Sequence, residues 1–286
     1  MHAKRWITGL CALPFLLYLI YAGGRAFAGF VAAASVVALW EYFKILAAAG
    51  KPEAAGDVAG EAEKDPPRRR FGVIPLLTLL TAPAMVWTAH RFSMDLVVSL
   101  LVLHLIVCAL FSLTRFKSDP RIIDDVVRAG QALIYIPLML AFGVLIRDGA
   151  DGMRWALLVL AVVFAGDIGA LYTGTTLGRH KLCPSVSPGK TVEGSVGGLI
   201  GSVAVGSLAK LIFFPRLLWG ESILFFLVLS IVGQIGDLYE SEFKRAAGVK
   251  DSGVILPGHG GLLDRIDALL FALPVAYFFK KFILWI

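Results

Sequence analysis

Apolar residues in this chain fall in blocks of about twenty, the length that crosses a hydrocarbon core as helix, with short polar stretches between them. The blocks predict spans near 6–22, 26–47, 71–90, 94–113, 131–145, 155–177, 194–214, 222–238 and 262–285, about nine in all. None of them alternates apolar and polar positions, which excludes a β-barrel. The expected fold is therefore all-α, a polytopic transmembrane helical protein. The first block follows Lys4 and Arg5 as a signal peptide would, but a second block comes almost at once and no convincing cleavage site intervenes, so it reads as a retained helix. Glycines at 194, 197, 198, 201 and 206 include small-xxx-small spacings that permit close helix contact. One plainly polar linker, 50–70, ends in Pro66-Pro67-Arg68-Arg69-Arg70, and a charged loop is expected at 115–128.

Composition agrees with a membrane protein: 58% of residues are hydrophobic and 17% charged, with a mean hydropathy of +0.78. The net charge of +6 would suit nucleic acid. Its placement between spans makes anionic lipid headgroups the expected neighbours instead, and no nucleic-acid partner is expected. Counted on alternate sides, Lys and Arg concentrate on the side of the N-terminus, including the triplet at 68–70, Arg115, Arg179, Lys190, Lys244 and Lys250; Arg25, Arg91, Arg147, Arg154, Arg216, Lys280 and Lys281 lie opposite. This bias predicts a cytoplasmic N-terminus. Trp87, Trp155, Trp219 and Trp285 then read as a belt at the outer interface. Cys11, Cys108 and Cys183 have no metal-ligand spacing and imply no disulfide framework.

Charge at a membrane edge needs protein or trapped water to solvate it, so such clusters are functional candidates. The densest runs from Ser241 to Asp267, SEFKRAAGVKDSGVILPGHGGLLDRID. Its glycines at 253, 258, 260 and 261 free backbone N–H groups to face an anion. Lys244, Arg245, Lys250 and Arg265 can neutralise phosphate oxygens. Asp264 and Asp267, three apart, share one face if the last span is helical. Hard oxygen ligands beside basic groups suit a magnesium–nucleotide complex. An ordinary charged loop is the bland alternative. A second stretch, 166–194, carries Asp167 inside a span and then Ser187-Pro188-Gly189-Lys190-Thr191, with Glu193 and Gly194. The GxxxxGK[ST] spacing of a Walker loop is absent.

The array Ser241, Lys244-Arg245, Lys250-Asp251, Gly253, Pro257, His259-Gly260-Gly261, Asp264-Arg265 and Asp267 closely resembles the signature of the phosphatidate cytidylyltransferase family, the CDP-diacylglycerol synthases, and residues 187–194 resemble that family's second block. The resemblance implies transfer of a cytidylyl group from CTP to phosphatidic acid, with Mg²⁺ as cofactor. It implies metal binding by Asp237, Asp264 and Asp167. Lys244, Arg245, Lys250, Asp251, His259 and Arg265 become catalytic candidates, and Ser187, Lys190, Thr191, Glu193, Ser241, Gly258, Gly260 and Gly261 candidates for substrate binding. Glu193 is either a metal-side carboxylate or the partner of a basic residue; Asp267 is either a supporting group or a helix-start charge; His259 moves a proton, holds the glycine turn or donates to phosphate. Members often show Asp-Ser-Gly-Ala-Tyr in the sixth span where this chain has Asp167-Ile168-Gly169-Ala170-Leu171, so Tyr172 does not fill the tyrosine position.

The resemblance also implies a homodimer. Membrane lipids are the expected surroundings of a multi-pass protein; short loops and compact length look bacterial and favour the inner (plasma) membrane, with an organellar membrane as the alternative, and the Lys/Arg bias puts the loops after the sixth and eighth spans, and with them the site, on the cytoplasmic face. The motifs divide the chain into an N-terminal transmembrane region, 1–150, containing the 50–70 linker, and a C-terminal catalytic region, 151–286. A transporter for an anionic solute is the rival from another class, but no inverted repeat is visible. The aspartate-rich pattern of CDP-alcohol phosphotransferases is absent.

Overall fold

The computed structural model describes residues 2–49, 72–253, 255 and 260–284. The 50–70 linker, Gly258, His259 and Trp285 lie outside the described residues. Nine helical rods account for most of the remainder: α1 (His2–Ala22), α2 (Gly24–Ala48), α3 (Val73–Arg91), α4 (Met94–Arg115), α5 (Ile122–Asp148), α6 (Gly152–Leu177), α7 (Val192–Phe213), α8 (Trp219–Ala246) and α9 (Leu263–Phe282). Among the described residues, seven of them, α2 to α8, are long and apolar enough to cross a membrane. The chain is thus an all-α polytopic membrane protein. Large side chains such as Leu103, Ile106 and Leu110 on α4 are half exposed or more, an arrangement suited to hydrocarbon rather than water.

Three local departures from the sequence pattern bear on function. α5 starts at Ile122, inside the stretch expected as loop, because Ile122, Val126 and Ala129 form a buried stripe at helical spacing. It contains a π-helical turn, Ile134–Leu138, with Pro137 inside it. α8 continues to Ala246, so Ser241, Lys244 and Arg245 belong to a helix instead of a loop. The polar connection between α6 and α7 folds as a two-stranded antiparallel hairpin, β1 (Lys181–Cys183) and β2 (Ser187–Thr191), pairing Lys181 with Thr191 and Cys183 with Ser187 around a bulge.

Close glycine packing joins α6 to α7. A Cβ on Gly169 would stand 2.6 Å from the Gly197 carbonyl oxygen, and one on Gly201 would stand 2.7 Å from the Ala165 oxygen. The small-residue spacing read from the sequence thus lets the two backbones touch. One core gathers Leu39, Tyr42, Met85, Val86, Leu133 and Ile136; another gathers Trp155, Val162, Phe225, Phe226 and Phe279. α9 feeds both, through Leu270 in the first and Ala272 in the second. Trp155 corrects the expected interfacial belt. It is 1% exposed, with Phe214 and Phe225 at ring distances of 4.6 and 5.8 Å, because the start of α6 packs against α8 and α9 rather than facing headgroups.

Candidate active site

The last turns of α8 and the first turn of α9 meet through ion pairs and backbone donors. Lys244 Nζ bonds Asp264 Oδ1 at 2.6 Å and also contacts Glu240 one turn before it on α8. Asp264 accepts further hydrogen bonds from Gly261 N at 2.9 Å and Ser252 N at 3.1 Å. Gly260 adopts φ of 81° immediately before this turn, and a Cβ there would lie 2.7 Å from Asp264 Oδ2. The conformation and the close approach both require glycine. Asp264 is therefore a hub that closes the loop between the two helices.

A residue from far upstream completes the hub. Glu41, fully buried on α2, accepts the backbone N–H groups of Leu262 at 3.0 Å and Leu263 at 2.8 Å, and the Ser252 hydroxyl at 3.3 Å. A carboxylate at a helix N-terminus satisfies donors that have no partner within the helix and sits favourably in its dipole. A Cβ on Gly253 would come within 2.5 Å of Glu41 Oε1, and one on Gly261 within 2.0 Å of Ser252 Oγ. The glycines thus let the loop close directly on buried polar groups. Glu41, Glu240 and Ser252 were not singled out by sequence reasoning. A lone charge inside an apolar span, Trp40-Glu41-Tyr42, was the available signal.

The hairpin docks on the same end of α8. Lys190 Nζ lies 2.7 Å from Asp237 Oδ2, both side chains remaining partly accessible. Arg245 donates from Nε to the Val186 carbonyl at the hairpin turn, 3.2 Å away, and from a terminal nitrogen to Val249 O at 3.2 Å. Thr191 caps α7, its hydroxyl oxygen accepting from Gly194 N at 3.1 Å. Glu193 receives the backbone N–H groups of Arg179 and His180 at 3.0 and 3.1 Å and the His180 ring at 2.5 Å. Those bonds fix the strand entrance, and they place Glu193 beside a basic partner.

Asp237 is also where carboxylates from three helices converge. The charges of Asp167 on α6, Asp237 on α8 and Asp267 on α9 act on one another, and Lys190 acts on Asp167. Gly236 allows this approach, since a Cβ there would stand 2.6 Å from the Asp267 carbonyl oxygen. Two assemblies therefore adjoin along α8. One contains Lys190, Asp237, Asp167 and Asp267, the other Lys244, Asp264, Glu240 and Glu41. Ser187 and Ser241 are half-buried near them, while Lys250, Asp251 and Arg265 are exposed on the same loop and helix start. Among the described residues, no three His, Cys, Asp or Glu side chains close into a metal cage. Mg²⁺ asks for less, commonly one or two carboxylates with phosphate and water oxygens. The accessible Asp237 and Asp167 fit that donor chemistry better than Asp264, whose oxygens already serve Lys244 and two backbone donors.

Comparison with known proteins adds an independent line. The model of the cytidylyltransferase family matches residues 3–283. A phosphatidate cytidylyltransferase of Bacillus subtilis is 31% identical over 278 residues, covering 96% of both chains. Proteins of that name from Staphylococcus saprophyticus and Staphylococcus haemolyticus are 49% identical over 138 residues and 50% over 128. These staphylococcal matches cover 48% and 44% of the chain, which spans about half of those relatives' length, 52% and 48% respectively. With the family match running almost from end to end, and Lys190 of one motif block meeting Asp237 four residues before the other, the chain belongs to the cytidylyltransferase family.

Proposed function

We propose that the chain transfers a cytidylyl group from CTP to phosphatidic acid, giving CDP-diacylglycerol and pyrophosphate in phospholipid synthesis. The observation that carries this reading, beside the family, is the Lys190–Asp237 contact of 2.7 Å. It joins a cation able to bind phosphate to a carboxylate able to hold Mg²⁺, at a cluster bordered by apolar membrane helices. A phosphate oxygen of the lipid attacks the α-phosphorus of CTP, and the bond from that phosphorus to the β-phosphate bridging oxygen breaks as pyrophosphate leaves. The lipid phosphate is ionised near neutral pH, so no strong base is needed. The protein's work is alignment of the two anions and neutralisation of their charge.

Lys190 contributes a point charge to the triphosphate, with Arg265 and Lys250 as further exposed cations of the site. Asp237 and Asp167 are the residues that would hold Mg²⁺, with Asp267 as support, and the ion would supply charge neutralisation at the phosphates. Lys244 and Asp264 keep the α8–α9 loop closed, so that its backbone donors remain in place. Gly258 and His259 stand in the same motif block by sequence, outside the described residues. Phosphatidic acid reaches the cluster laterally, its acyl chains staying in the bilayer.

Nine spans with the N-terminus in the cytoplasm are supported by nine helical rods, seven of them long and apolar enough to cross a membrane among the described residues, and by the Lys/Arg bias. That orientation puts the hairpin and the α8–α9 loop on the side where CTP is available, in the inner membrane of a bacterial cell. The family resemblance supports a homodimer. The decisive experiment is pyrophosphate release by purified protein in detergent with CTP, phosphatidic acid and Mg²⁺, beside Asp237→Asn. The reading requires turnover that depends on both substrates and collapses in a folded Asp237→Asn variant. Absence of CTP binding by the wild type would overturn it.

A further inference from the structure

Along α8, Ser230, Gln234 and Asp237 follow one another at i, i+4 and i+7 and so share one face. They form a polar seam in a span that is otherwise apolar enough to cross a membrane. Polar side chains at that depth are costly, and a common use for them is bonding between helices. Two members of the seam and its surroundings have that use. Gln234 exchanges hydrogen bonds with Ser195 of α7, donating from Nε2 to its carbonyl at 3.2 Å and accepting from its hydroxyl. Ser202 of α7 donates to the Val162 carbonyl of α6 at 2.9 Å. Ser230 does not share it: its hydroxyl is buried, the residue being 3% exposed, and has no hydrogen-bond partner among the described residues.

That hydroxyl belongs to the lining of a small cavity of about 10 Å³ between α6 and α8. Asp167, Ser230 and Gln234 supply the polar lining, Val163, Leu229 and glycine backbone the rest. Gly166 leaves the approach open, since a Cβ there would stand 3.3 Å from Ser230 Oγ. A polar cavity of this size is about the least that admits one water, which needs two to four polar partners. We propose that it is a site for a single water molecule, held by Ser230 and Gln234 and donating to the Asp167 carboxylate, and that Ser230 is thereby a positioning residue for Asp167. The water follows from the cavity and the buried hydroxyl; the use of the positioned carboxylate rests on the function proposed above. Asp167 is exposed on its other side, where the charges of Asp237 and Lys190 act on it. A donor behind the carboxylate holds one oxygen towards the interior and presents the other to Asp237. Removing such a bond from a cation-binding carboxylate weakens cation affinity by about 10–100-fold.

A crystallographic map of the full chain, without CTP or lipid, tests the water. Density for one ordered water within hydrogen-bond reach of Ser230 Oγ and the Asp167 carboxylate is expected in the wild type. It should vanish in Ser230→Val, whose methyl groups enter the cavity. A dry cavity in the wild type overturns the inference. Positioning is read by Mn²⁺ titration followed by electron paramagnetic resonance, Mn²⁺ sharing the octahedral oxygen chemistry of Mg²⁺. Ser230→Val should bind Mn²⁺ about tenfold more weakly than the wild type. In an Asp167→Asn background the same substitution should add nothing. Wild-type affinity in Ser230→Val, or a full further loss in the Asp167→Asn background, removes the positioning role. Should Ser230→Val fail to fold, Ser230→Ala deletes the hydroxyl without filling the cavity, and its Mn²⁺ affinity is read in the same way. A wild type that binds no Mn²⁺ would remove the metal role of Asp167 and with it the positioning, while the map still decides the water.

Discussion

Glu41 Oε2 accepts the backbone N–H of Leu263 at 2.8 Å, across 222 positions of chain. This bond ties a helix of the N-terminal region to the first turn of the helix that carries Asp264 and Asp267. In Glu41→Ala, two backbone donors and the Ser252 hydroxyl lose their acceptor, and each buried orphan costs about 1–3 kcal/mol. A clear fall in the unfolding midpoint in detergent is expected, together with loss of most turnover. Glu41→Gln, which keeps one oxygen acceptor, should lie between Glu41→Ala and the wild type. Wild-type stability in Glu41→Ala would show that the cap is dispensable.

Gly261 and Gly189 both belong to motif blocks but face different surroundings. A Cβ on Gly261 would stand 2.0 Å from Ser252 Oγ and 2.7 Å from Glu41 Oε2, whereas one on Gly189 meets nothing within 4 Å. Gly261→Ala is expected to destabilise by about 1–3 kcal/mol, the usual cost of overpacking. Gly189→Ala should stay within about 0.5 kcal/mol of wild type, as open surface positions do. Denaturant titration of the two variants side by side measures the contrast.

Helix pairing in the bilayer can be tested the same way. A Cβ on Gly197 of α7 would lie 1.8 Å from Thr173 Oγ1 on α6, while Gly220, in the first turn of α8, has open space. Gly197→Ala should loosen the α6–α7 pair and lower resistance to unfolding by SDS. Gly220→Ala should be neutral or gain up to about 1 kcal/mol from the better helix propensity of alanine. Equal behaviour of the two variants would count against direct backbone packing.

Lys190 is expected to act on the triphosphate through its charge. Lys190→Met should lower kcat by about 10²–10³, the usual effect of deleting one preorganised donor to developing charge. Lys190→Arg should restore only part, because a planar fork does not reproduce a compact ammonium. Steady-state kinetics at saturating phosphatidic acid read both effects. A Lys190→Met variant with wild-type kcat would remove this residue from the mechanism.

Metal removal separates the two assemblies on α8. Chelation with EDTA should abolish pyrophosphate release, and added Mg²⁺ should restore it. The unfolding midpoint without CTP should not move, since the loop is closed by Lys244, Asp264 and Glu41 rather than by a cation. A large drop in the midpoint on chelation would mean that a cation also holds the fold.

The sequence by itself determined the membrane class, the order of the helices and both motif blocks. Runs of about twenty apolar residues have few other stable forms in hydrocarbon, where each backbone polar group must be bonded within the segment. Glycine spacing in α7 likewise showed the face that packs on α6, because only small residues let backbones approach so closely. The partner of each charged group was decided by tertiary structure alone. Asp237 and Asp264 looked equivalent in sequence, yet Asp237 meets Lys190 from the hairpin while Asp264 is enclosed by Lys244, Ser252 and Gly261. Glu41 could not be placed at all, since its acceptor role depends on backbone N–H groups more than two hundred residues away. Local periodicity records which face of an element is apolar. Which ends of which helices meet is fixed only when all of them pack together, and that meeting decides the chemistry of this site.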